Sequence, residues 1–471
     1  MSRRHSHLSS RAGTFPNVDF LFSLRPTRMK LGLENITTLL GRLGDPQKRF
    51  PAILVAGTNG KGSVTAFVSS ILRAAGLRVG SCYSPHLFRI NERIRLNGEE
   101  IPTGDLDSLL GELRGHHREI PYTYFEGITA AAMLHFARRR VDVAIFEVGL
   151  GGRLDATKLV NAAVTVITGI SVDHGEHLGG TPRQILREKL GIVREGVPLV
   201  ASLDSPLLLR SAGKHCATVG APFVHVEDEV STYLISLEPD GMVFDVITPV
   251  HRYTGCRVRM IGTAQMANAA TAVRAVEVLF DTIRRSVRHP AVRGGRVGEG
   301  TGARPLRLYS KRLRQLAGKR RYPVRSVRAG LAETSLAGRF QVLPGAPRIV
   351  LDVAHNEQAL VHSVETLRRI SHPRRNVIIF GILAHKQLGS FPRKAADSAR
   401  TIICTDLRDG RSARSGELIK IFRTSGRKRV ILEAIGGMGR AMKTALSGLG
   451  TDDTLLILGS HLTVEEAAAF L

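Results

Sequence analysis

The sequence predicts an α/β protein: a large domain with a mostly parallel sheet, followed by a smaller, Rossmann-like α/β domain. The first observation is that strand-like apolar runs alternate with helical patterns in the first half of the chain. These runs cover residues 53–56, 141–148, 163–170 and 197–201. The second observation is that the alternation resumes nearer the carboxyl terminus, at residues 349–353, 377–383, 401–405, 430–434 and 455–458. Strands that alternate with helices in this way form parallel sheets covered by helices.

Length and composition bound the class of protein. The chain has 471 residues, which allows two or three domains, and its hydrophobic content of 43% predicts a globular protein. No apolar stretch approaches the roughly 20 residues that cross a bilayer. The basic amino terminus lacks the apolar core of a secretory signal. We expect reduced thiols, no zinc site and a cytoplasmic protein, because the four cysteines are far apart in sequence. They are Cys82, Cys216, Cys256 and Cys404.

The expected organisation has four parts: a basic tail, a large central domain, a basic insertion or linker, and a smaller carboxyl-terminal domain. Their expected bounds are residues 1–17, 18–280, 281–330 and 331–471. Residues 232–250 depart from the α/β pattern. Two strand-like runs there flank Pro239, Asp240 and Gly241, which predicts a hairpin at the domain edge.

A net charge of +26 raises the question of a nucleic-acid partner. Half of that charge lies in residues 281–330, which hold 15 Lys or Arg against two acidic residues, or +13. This segment contains several glycines and shows little apolar periodicity, which predicts a solvated linker. Its Tyr309 and Tyr322 are isolated and the chain has no Trp, so no platform for base stacking is present. We therefore expect small-molecule substrates rather than nucleic acid or a membrane, with an RNA- or phosphate-binding role of this segment as the alternative.

The most informative motif is AGTNGKGS at residues 56–63, between an apolar strand and a helical apolar stripe. Strand, glycine-rich loop, Lys, Ser and helix is the order that holds a nucleotide triphosphate. Lys61 would reach the outer phosphates, and the Ser63 hydroxyl would bind Mg²⁺. Gly62 stands where the general pattern has Ser or Thr. The predicted nucleotide-binding residues of this loop are Gly57, Thr58, Asn59, Gly60, Lys61, Gly62 and Ser63.

A second cluster begins with Glu147, which ends an apolar strand directly before the glycine-rich run at residues 149–152. Ligands of open α/β sheets bind at this edge. A buried carboxylate needs a partner, and Mg²⁺ is the partner that this position favours. The alternative is a structural ion pair between Glu147 and Arg153.

Polar residues follow two further strands. Asp173 and His174 come after the strand at residues 163–170, and Asp352 and His355 follow the first strand of the second domain. An Asp-His pair can bind metal through the imidazole, or it can be a hydrogen-bonded structural pair. Its place at the same sheet edge as Glu147 favours a metal site for the first pair.

A helix with clear punctuation follows the first Asp-His pair. Thr181 is the expected N-cap, and Gln184 completes a capping box. Lys189 lies about two turns into this helix, where a lysine is ordinarily a solvated charge. Nothing in the local pattern alone gives it a function.

Together and in this order, the motifs resemble those of the folylpolyglutamate synthase/dihydrofolate synthase family, within the Mur-ligase-like group of ATP-dependent amide ligases. The resemblance covers most of residues 18–280 and 331–471. The matching runs are MKLGLENI at 29–36, GTNGKGS at 57–63, SPHL at 84–87, NERI at 91–94, EVGLGGRLDAT at 147–157, DH with LG at 173–179, and LDVAHN at 351–356.

The resemblance implies an enzyme that uses ATP to convert a substrate carboxylate into an acyl phosphate, which the amino group of L-glutamate then attacks. Ser63, Glu147 and His174 would hold Mg²⁺. Lys61 would be a catalytic residue that neutralises charge on the transferred phosphoryl group. Lys189 matches the family lysine that is carbamylated and then supports a second metal. The acceptor would be dihydropteroate, a reduced folate, or both.

Further residues gain a role only through the resemblance. Gln265 and Asn268 resemble a nucleotide-contacting stretch. Arg339 and Asp352 would contact ATP from the second domain, with His355 as a catalytic residue. The implied cofactors are ATP and Mg²⁺, to which a monovalent cation is added as an alternative, and the family's usual state is a monomer.

Three features depart from the family pattern. Lys158 stands where Asn is usual, Leu190 replaces a small Ala after Lys189, and residues 281–330 are unusually basic. None of these removes an expected metal ligand or phosphate contact, so we expect an active enzyme.

Three alternatives stay open at this point: another Mur-like ligase acting on cell-wall precursors, a basic nucleic-acid-binding ATPase, and an inactive structural relative. Deleting residues 293–322 separates the ligase from the nucleic-acid ATPase. A ligase would keep glutamate-dependent ATP turnover, whereas a nucleic-acid ATPase would lose stimulation by polynucleotide.

Overall fold

The structure is a computed structural model that describes residues 14–24, 32–173, 175–288, 309–318, 324–424 and 430–471. The chain divides into two compact units, each built from separate segments. Unit 1 contains Met1–Ser231, Thr248–His251 and Ala269–Gly330. Unit 2 contains Thr232–Ile247, Arg252–Asn268 and Leu331–Leu471.

The strands are β1 (Ala52–Ala56), β2 (Val79–Cys82), β3 (Ile94–Leu96), β4 (Glu99–Glu100), β5 (Val143–Glu147), β6 (Ala162–Ile167), β7 (Leu199–Ala201), β8 (Phe223–His225), β9 (Ser231–Glu238), β10 (Gly241–Ile247), β11 (Arg252–Val258), β12 (Gln341–Leu343), β13 (Arg348–Asp352), β14 (Asn376–Phe380), β15 (Thr401–Thr405), β16 (Ile431–Ile435) and β17 (Thr454–Leu458).

The helices are α1 (Pro16–Ser23), α2 (Glu34–Arg42), α3 (Lys61–Ala74), α4 (Thr103–Arg114), α5 (Tyr124–Arg138), α6 (Gly175–Leu178), α7 (Pro182–Leu190), α8 (Pro206–Val219), α9 (Val226–Glu229), α10 (Thr263–Arg288), α11 (Lys311–Gly318), α12 (Val324–Glu333), α13 (Glu357–Ile370), α14 (Phe391–Ala396), α15 (Ser415–Thr424), α16 (Met438–Ser447) and α17 (His461–Ala468).

Unit 1 is built on an eight-stranded sheet in the order β4-β3-β2-β5-β1-β6-β7-β8. Strands β2, β5, β1, β6, β7 and β8 pair in parallel, and only β3 and β4 add antiparallel pairs at one edge. Every residue of β1, β5 and β6 is buried. Burial on both faces explains why these strands are continuous apolar runs in the sequence. The predicted, mostly parallel sheet is confirmed.

Helix α3 follows β1 and covers the sheet, as the apolar stripe after the glycine-rich loop predicts. Val64, Phe67, Val68 and Ile71 are all buried. Helix α5 is also almost entirely buried, and it begins with a capping box between Thr123 and Glu126. These two helices fix the sheet edge at which β1 and β5 end.

Unit 2 is built on a six-stranded sheet in the order β12-β13-β17-β14-β15-β16. All neighbours in this sheet are parallel except β12, which is antiparallel to β13. Strands β14 and β17 are completely buried and lie at its centre. The smaller α/β domain predicted from the second set of apolar runs is therefore present.

A separate three-stranded sheet has the order β11-β10-β9, and β10 pairs antiparallel with β11. Strands β9 and β10 are neighbours joined by Pro239 and Asp240, as the predicted hairpin requires. Gly241 opens β10 with φ +155°, and a Cβ there would lie 2.8 Å from the carbonyl oxygen of Val258. Glycine is thus the residue that lets β10 approach β11 this closely.

The basic segment at residues 281–330, for which the sequence predicts a solvated linker, is helical in its described parts. Its described parts include α11 and most of α12, and both helices bury apolar positions. Leu313, Ala317, Val327 and Leu331 have no exposed surface. Apolar residues spaced by four within such short helices are too few to stand out from a basic background. Residues 289–308 and 319–323 lie outside the described part of the chain.

All four cysteines are buried and free, in agreement with the prediction of reduced thiols. Burial raises the pKa of the Cys82 and Cys404 thiols to about 12, so neither is a ready nucleophile. Within the described residues, every helix is too short or too polar to cross a membrane.

Candidate active site

The glycine-rich loop between β1 and α3 has the backbone shape that its sequence predicts. Gly57 has φ +152°, and a Cβ on it would lie 1.8 Å from the hydroxyl oxygen of Thr168. Gly60 adopts a left-handed conformation with φ +86° and directly precedes the first residue of α3. These two positions require glycine, because a side chain would collide at the first and be strained at the second.

The segment after β6 holds the loop in place. The Thr58 amide donates to the Gly169 carbonyl at 2.9 Å, and the Thr58 hydroxyl donates to the Ser171 carbonyl at 3.0 Å. The Thr168 hydroxyl donates to the Asn59 carbonyl at 2.5 Å, and the Asn59 side chain donates to the Ser171 hydroxyl at 3.2 Å. The loop is thus preorganised by hydrogen bonds to its neighbour in the sheet.

Lys61 and Ser63 lie in the first turn of α3. The Lys61 ammonium donates to the carbonyl oxygens of Gly57 at 3.1 Å and Thr58 at 3.0 Å, so it stays beside the loop. Ser63 is buried at the same helix end. Backbone N–H groups at such a helix start, with the positive end of the helix dipole, suit a bound phosphate.

Glu147 ends β5 next to this loop. In the sheet register it pairs with Val55, two residues before Gly57. Glu147 is 3% exposed, and its carboxylate accepts the Ser84 amide at 3.0 Å. Arg153 instead pairs with Glu188 at 3.2 Å. The predicted placement at the sheet edge is confirmed, and the Glu147–Arg153 ion pair, offered as an alternative, is wrong.

The glycines after Glu147 allow close packing around the site. A Cβ on Gly149 would lie 2.5 Å from the ring of Phe125. A Cβ on Gly152 would lie 3.0 Å from the carbonyl oxygens of both Glu188 and Lys189. The loop can therefore press against the carboxyl-terminal end of α7, and this contact fixes where Lys189 lies.

Lys189 is buried and faces the phosphate loop. Helix α7 has the predicted capping box, in which the Thr181 hydroxyl accepts the Gln184 amide at 3.3 Å. The Lys189 amine donates to the Gly57 carbonyl at 2.7 Å. Burial lowers the pKa of Lys189 to about 7, and the charge of Lys61 acts in the same direction, against Asp173. This is no solvated charge, and the local sequence gave no sign of that.

Asp155 is a buried carboxyl that the sequence analysis did not single out. It accepts the Leu150 amide at 2.9 Å, and both the amide and the hydroxyl of Thr157, at 2.9 Å and 2.5 Å. Burial raises the pKa of Asp155, while these hydrogen bonds oppose the shift. Its position in the motif EVGLGGRLDAT was the available signal.

The run NERI at residues 91–94, which is part of the family resemblance, places a buried arginine directly before β3. Arg93 is 7% exposed, and its Nε donates to Nδ1 of His86 at 2.8 Å. Its guanidinium lies 5.5 Å from the ring centroid of Tyr124 and also donates to the Ser84 hydroxyl. A buried cation between a ring and neutral acceptors is a candidate group for holding a substrate.

His174, the third predicted metal ligand, lies outside the described residues, and Asp173 next to it is partly buried. Within the described ranges, no cluster of three or more His, Cys, Asp and Glu side chains could hold a metal ion. The metal site predicted from Ser63, Glu147 and His174 therefore stays a prediction.

In unit 2, Asp352 ends β13 and is 9% exposed. Its carboxylate accepts the Ser363 hydroxyl at 2.5 Å and the Ala354 amide at 3.1 Å. Burial raises the pKa of Asp352, against the Ser363 hydrogen bond and the nearby charge of Arg339. Asp352 thus shapes the turn that leads to His355.

His355 and Asn356 follow directly. His355 Nδ1 lies 2.9 Å from the Val353 carbonyl, and its ring is 6.2 Å from the ring of His461 at the start of α17. Asn356 caps α13 through the Ala359 amide. His461 was missed because it follows a different strand, β17, which neighbours β13 only in the folded sheet.

Gln265 and Asn268 lie in the first turns of α10, also within unit 2. The Asn268 amide donates to the Gln265 side-chain oxygen at 3.0 Å, so the two side chains form one polar surface. Gly262 precedes them with φ +116°, and a Cβ there would lie 2.9 Å from the Thr366 hydroxyl.

Two family models match the chain. The Mur ligase middle domain matches residues 55–276, and the Mur ligase glutamate ligase domain matches residues 338–461. The fold, the phosphate loop and these matches define an ATP-dependent ligase of the Mur type.

Individual proteins narrow the assignment. The chain is 32% identical over 381 residues to the dihydrofolate synthase/folylpolyglutamate synthase of Bacillus subtilis, which covers 79% of this chain and 80% of the relative. Escherichia coli FolC in complex with DHPP and ADP superimposes with a TM-score of 0.78 at 27% identity, over 96% of this chain and 97% of that one. A bifunctional folylpolyglutamate synthase/dihydrofolate synthase with Mn, AMPPNP and L-glutamate bound gives 0.76 at 30% identity, over 97% and 99%. The chain belongs to the dihydrofolate synthase/folylpolyglutamate synthase family, as its motifs predicted.

Proposed function

We propose that this protein joins L-glutamate to the carboxylate of a pteroate or a folate, with ATP as the source of energy. The observation that carries the proposal is the edge where β5, β1 and β6 end. Glu147, the phosphate loop and the buried amine of Lys189 lie together at this edge.

A carboxylate is a poor acyl donor, which is why ATP is required. In the first step, an acceptor carboxylate oxygen bonds to the γ-phosphorus of ATP, and ADP leaves. In the second step, the amino nitrogen of L-glutamate attacks the carbonyl carbon. The C–O bond to phosphate breaks, inorganic phosphate leaves, and the nitrogen loses a proton. The protein must therefore hold ATP, the acceptor and L-glutamate with their reacting atoms aligned. It must also stabilise the negative charge on the transferred phosphoryl group.

The loop at residues 57–63 supplies the phosphate site in this proposal. Its N–H groups and the start of α3 bind the phosphates, and the Lys61 ammonium neutralises charge on the transferred phosphoryl group. Hydrogen bonds from Lys61 to the loop carbonyls hold its charge in place before ATP arrives.

Ser63 and Glu147 fit a bound Mg²⁺. Both side chains are buried and offer an oxygen ligand, Ser63 from the phosphate loop and Glu147 from beside it. Hydroxyl and carboxylate oxygens are ligands that Mg²⁺ prefers. His174 is proposed as a further ligand on the sequence match alone. A bound divalent ion would withdraw electron density from the phosphate oxygens.

Lys189 is the proposed site of carbamylation. Only a neutral amine reacts with CO₂, and a pKa of about 7 leaves a large neutral fraction near neutral pH. The product would be an anion beside the loop, where it could support a second divalent or a monovalent cation. Its formation would also remove the repulsion between Lys189 and Lys61.

Unit 2 is proposed to contribute Arg339, Asp352, Gln265 and Asn268 to nucleotide binding, and His355 to catalysis. Asp352 supports this assignment, because its hydrogen bonds to Ser363 and Ala354 fix the turn on which His355 stands. The acceptor specificity, a monomeric state and a cytoplasmic location are parts of the same proposal.

The decisive experiment follows phosphate release from ATP and product mass, with Mg²⁺ and L-glutamate, for dihydropteroate and tetrahydrofolate as acceptors. A gain of one glutamate on either acceptor supports the proposal and shows which synthase activity is present. No product from either acceptor, in a folded protein that binds ATP, would contradict it. Size-exclusion chromatography with light scattering tests the monomer.

A further inference from the structure

We propose that the face of unit 1 formed by the end of α10, α11 and α12 binds the phosphodiester backbone of a nucleic-acid duplex. The basic face is defined by seven exposed cations: Arg285, Arg288, Lys311, Arg312, Arg314, Arg325 and Arg328. This site is separate from the ligase chemistry proposed above and does not depend on it.

The first observation is that these cations have no acidic partners among the residues that the structure describes. None of the seven forms an ion pair within the described part of the chain, whereas Arg284 pairs with Asp281. The only other acidic residue of the described stretches 281–288, 309–318 and 324–333 is Glu333. Ordinary protein surfaces intersperse both signs of charge, so an unpaired set of one sign marks attraction to a polyanion.

The second observation is that the cations stand on folded helices rather than on a loose linker. Leu313 and Ala317 bury one side of α11, and Lys311, Arg312 and Arg314 point away from it. Arg284 donates to the Ala317 carbonyl at 3.0 Å and so ties α10 to α11. The backbone that carries the charges is thereby held in place, so binding does not have to order a loose linker.

Helix α12 is anchored just as firmly. A Cβ on Gly330 would lie 2.4 Å from the Ile71 Cα, so α12 packs directly on the backbone of α3. Val327 and Leu331 are buried, while Arg325 and Arg328 are exposed one turn apart. Only residues 319–323 separate α11 from α12, which limits the gap to about 20 Å.

The surroundings of the face argue against two other anionic partners, a membrane surface and the glutamate tail of a product. Val287 is the one exposed large apolar side chain among the described residues of this segment, which gives a membrane little to hold. The growing glutamate tail of a product is also a poor match. Its reacting end must lie at the start of α3, whereas α12 packs at Ile71, about 15 Å along that helix.

The described part of this segment has no exposed aromatic ring, which favours one kind of nucleic acid. Tyr309 is buried, and no other aromatic residue lies in the described stretches of this segment. The described residues of this segment offer no ring on which unpaired bases could stack, while a duplex offers regularly spaced phosphates. We therefore expect binding that is independent of sequence and strongly dependent on salt.

The test measures binding of the full chain to a 20-base-pair RNA duplex and a DNA duplex of the same sequence by fluorescence anisotropy, across a salt series. The basic-face variant changes all seven cations to Gln. The control variant changes seven exposed cations of unit 2 that form no ion pair within the described residues. These are Arg368, Arg369, Arg393, Arg414, Lys420, Arg423 and Lys443.

We expect the basic-face variant to raise the Kd for duplex by at least about tenfold and to flatten the salt dependence by several units of slope. The control variant should change Kd only about threefold or less, and both variants should stay folded and keep their ligase activity. A preference for RNA or DNA tells which duplex is the partner.

Three outcomes would overturn the proposal. Equal losses in both variants would mean that net charge alone attracts the duplex. Equal affinity for poly-L-glutamate would show that phosphate is not preferred. Binding to vesicles with 30% anionic lipid, without binding to duplex, would assign the face to a membrane.

Discussion

The Lys189 amine lies 2.7 Å from the Gly57 carbonyl, and only 4% of the residue is exposed. The helix, its cap and its register were all predictable from residues 181–190. The burial of the amine was not, because it is caused by the Gly149–Gly152 loop and by β1, which are distant in sequence. A residue's environment is a tertiary property, whereas its secondary structure is largely a local one.

The perturbed pKa of Lys189 makes stability depend on pH. Between about pH 7 and 10.5 the unfolded chain keeps this proton and the folded chain has released it, so stability rises with pH. Between pH 7 and pH 9, the free energy of unfolding of wild type should rise by about 2 kcal/mol relative to that of Lys189→Met. Urea unfolding in CO₂-free buffer measures the difference, and a difference that does not change with pH would show that the amine titrates normally.

Lys61→Ala should abolish turnover, because no other side chain of the loop carries a positive charge. We expect a loss in kcat of at least about 10²–10³-fold. The control is Lys48→Ala, which removes an exposed lysine paired with Asp45 and should leave kcat unchanged. Near wild-type turnover in Lys61→Ala would disprove the assignment of the phosphate site.

Glu147→Gln tests the metal ligand. The amide keeps the shape of the side chain and can still accept the Ser84 hydrogen bond, but it loses the charge that attracts Mg²⁺. The Mg²⁺ concentration for half-maximal activity should rise at least about tenfold. Glu188→Gln, which breaks the ion pair with Arg153, is the matched carboxylate control. An unchanged Mg²⁺ requirement in Glu147→Gln would remove Glu147 from the metal site.

At the scale of elements, the phosphate loop illustrates a match between sequence and structure. Strand, loop and helix occur in the predicted order because the apolar run, the glycines and the helical stripe are each local signals. The hydrogen bonds that hold the loop come from Thr168 and Ser171, after a strand that enters the sheet much later in the chain. No local pattern contains that information.

Gly57→Ala should destabilise the loop. Its Cβ would collide with the Thr168 hydroxyl, and the backbone would be strained, at a cost of about 1–3 kcal/mol or more. The free energy of unfolding should fall, and so should the rise in melting temperature that ATP causes. Gly41→Ala is the control, because α2 has open space there and alanine favours helices. Equal stability of the two variants would contradict the packing seen around Gly57.

At the scale of the whole molecule, the excess of positive charge affects stability more than any single ion pair does. The lysine and arginine side chains that give the chain its net charge of +26 repel one another, and salt screens that repulsion. We expect the melting temperature to rise between 20 and 300 mM NaCl, and to rise less in the seven-residue basic-face variant. A melting temperature that falls with salt in wild type would show that attractive ion pairs dominate instead.

The division of the chain into compact units could not be predicted from patterns along the sequence. The sequence predicts consecutive domains, yet unit 2 includes Thr232–Ile247 and Arg252–Asn268, far from its main segment. Composition changes along the chain mark where patterns switch, but they carry no information about which segments pack together. The deletion of residues 293–322 fails for the same reason: it would remove α11, whose Leu313 and Ala317 are part of the folded unit. Charge substitutions are the sounder experiment.

The central position of β1 has a consequence for synthesis of the chain. Its two partners in the sheet, β5 and β6, are translated long after it, so β1 leaves the ribosome with neither neighbour. The loop that follows β1 is complete as a sequence at residue 63, but the groups that hold it come from residues 147–189. We therefore expect the nascent chain to bind nucleotide only late in translation. ATP should bind only those chains in which β1 has already paired with β5 and β6.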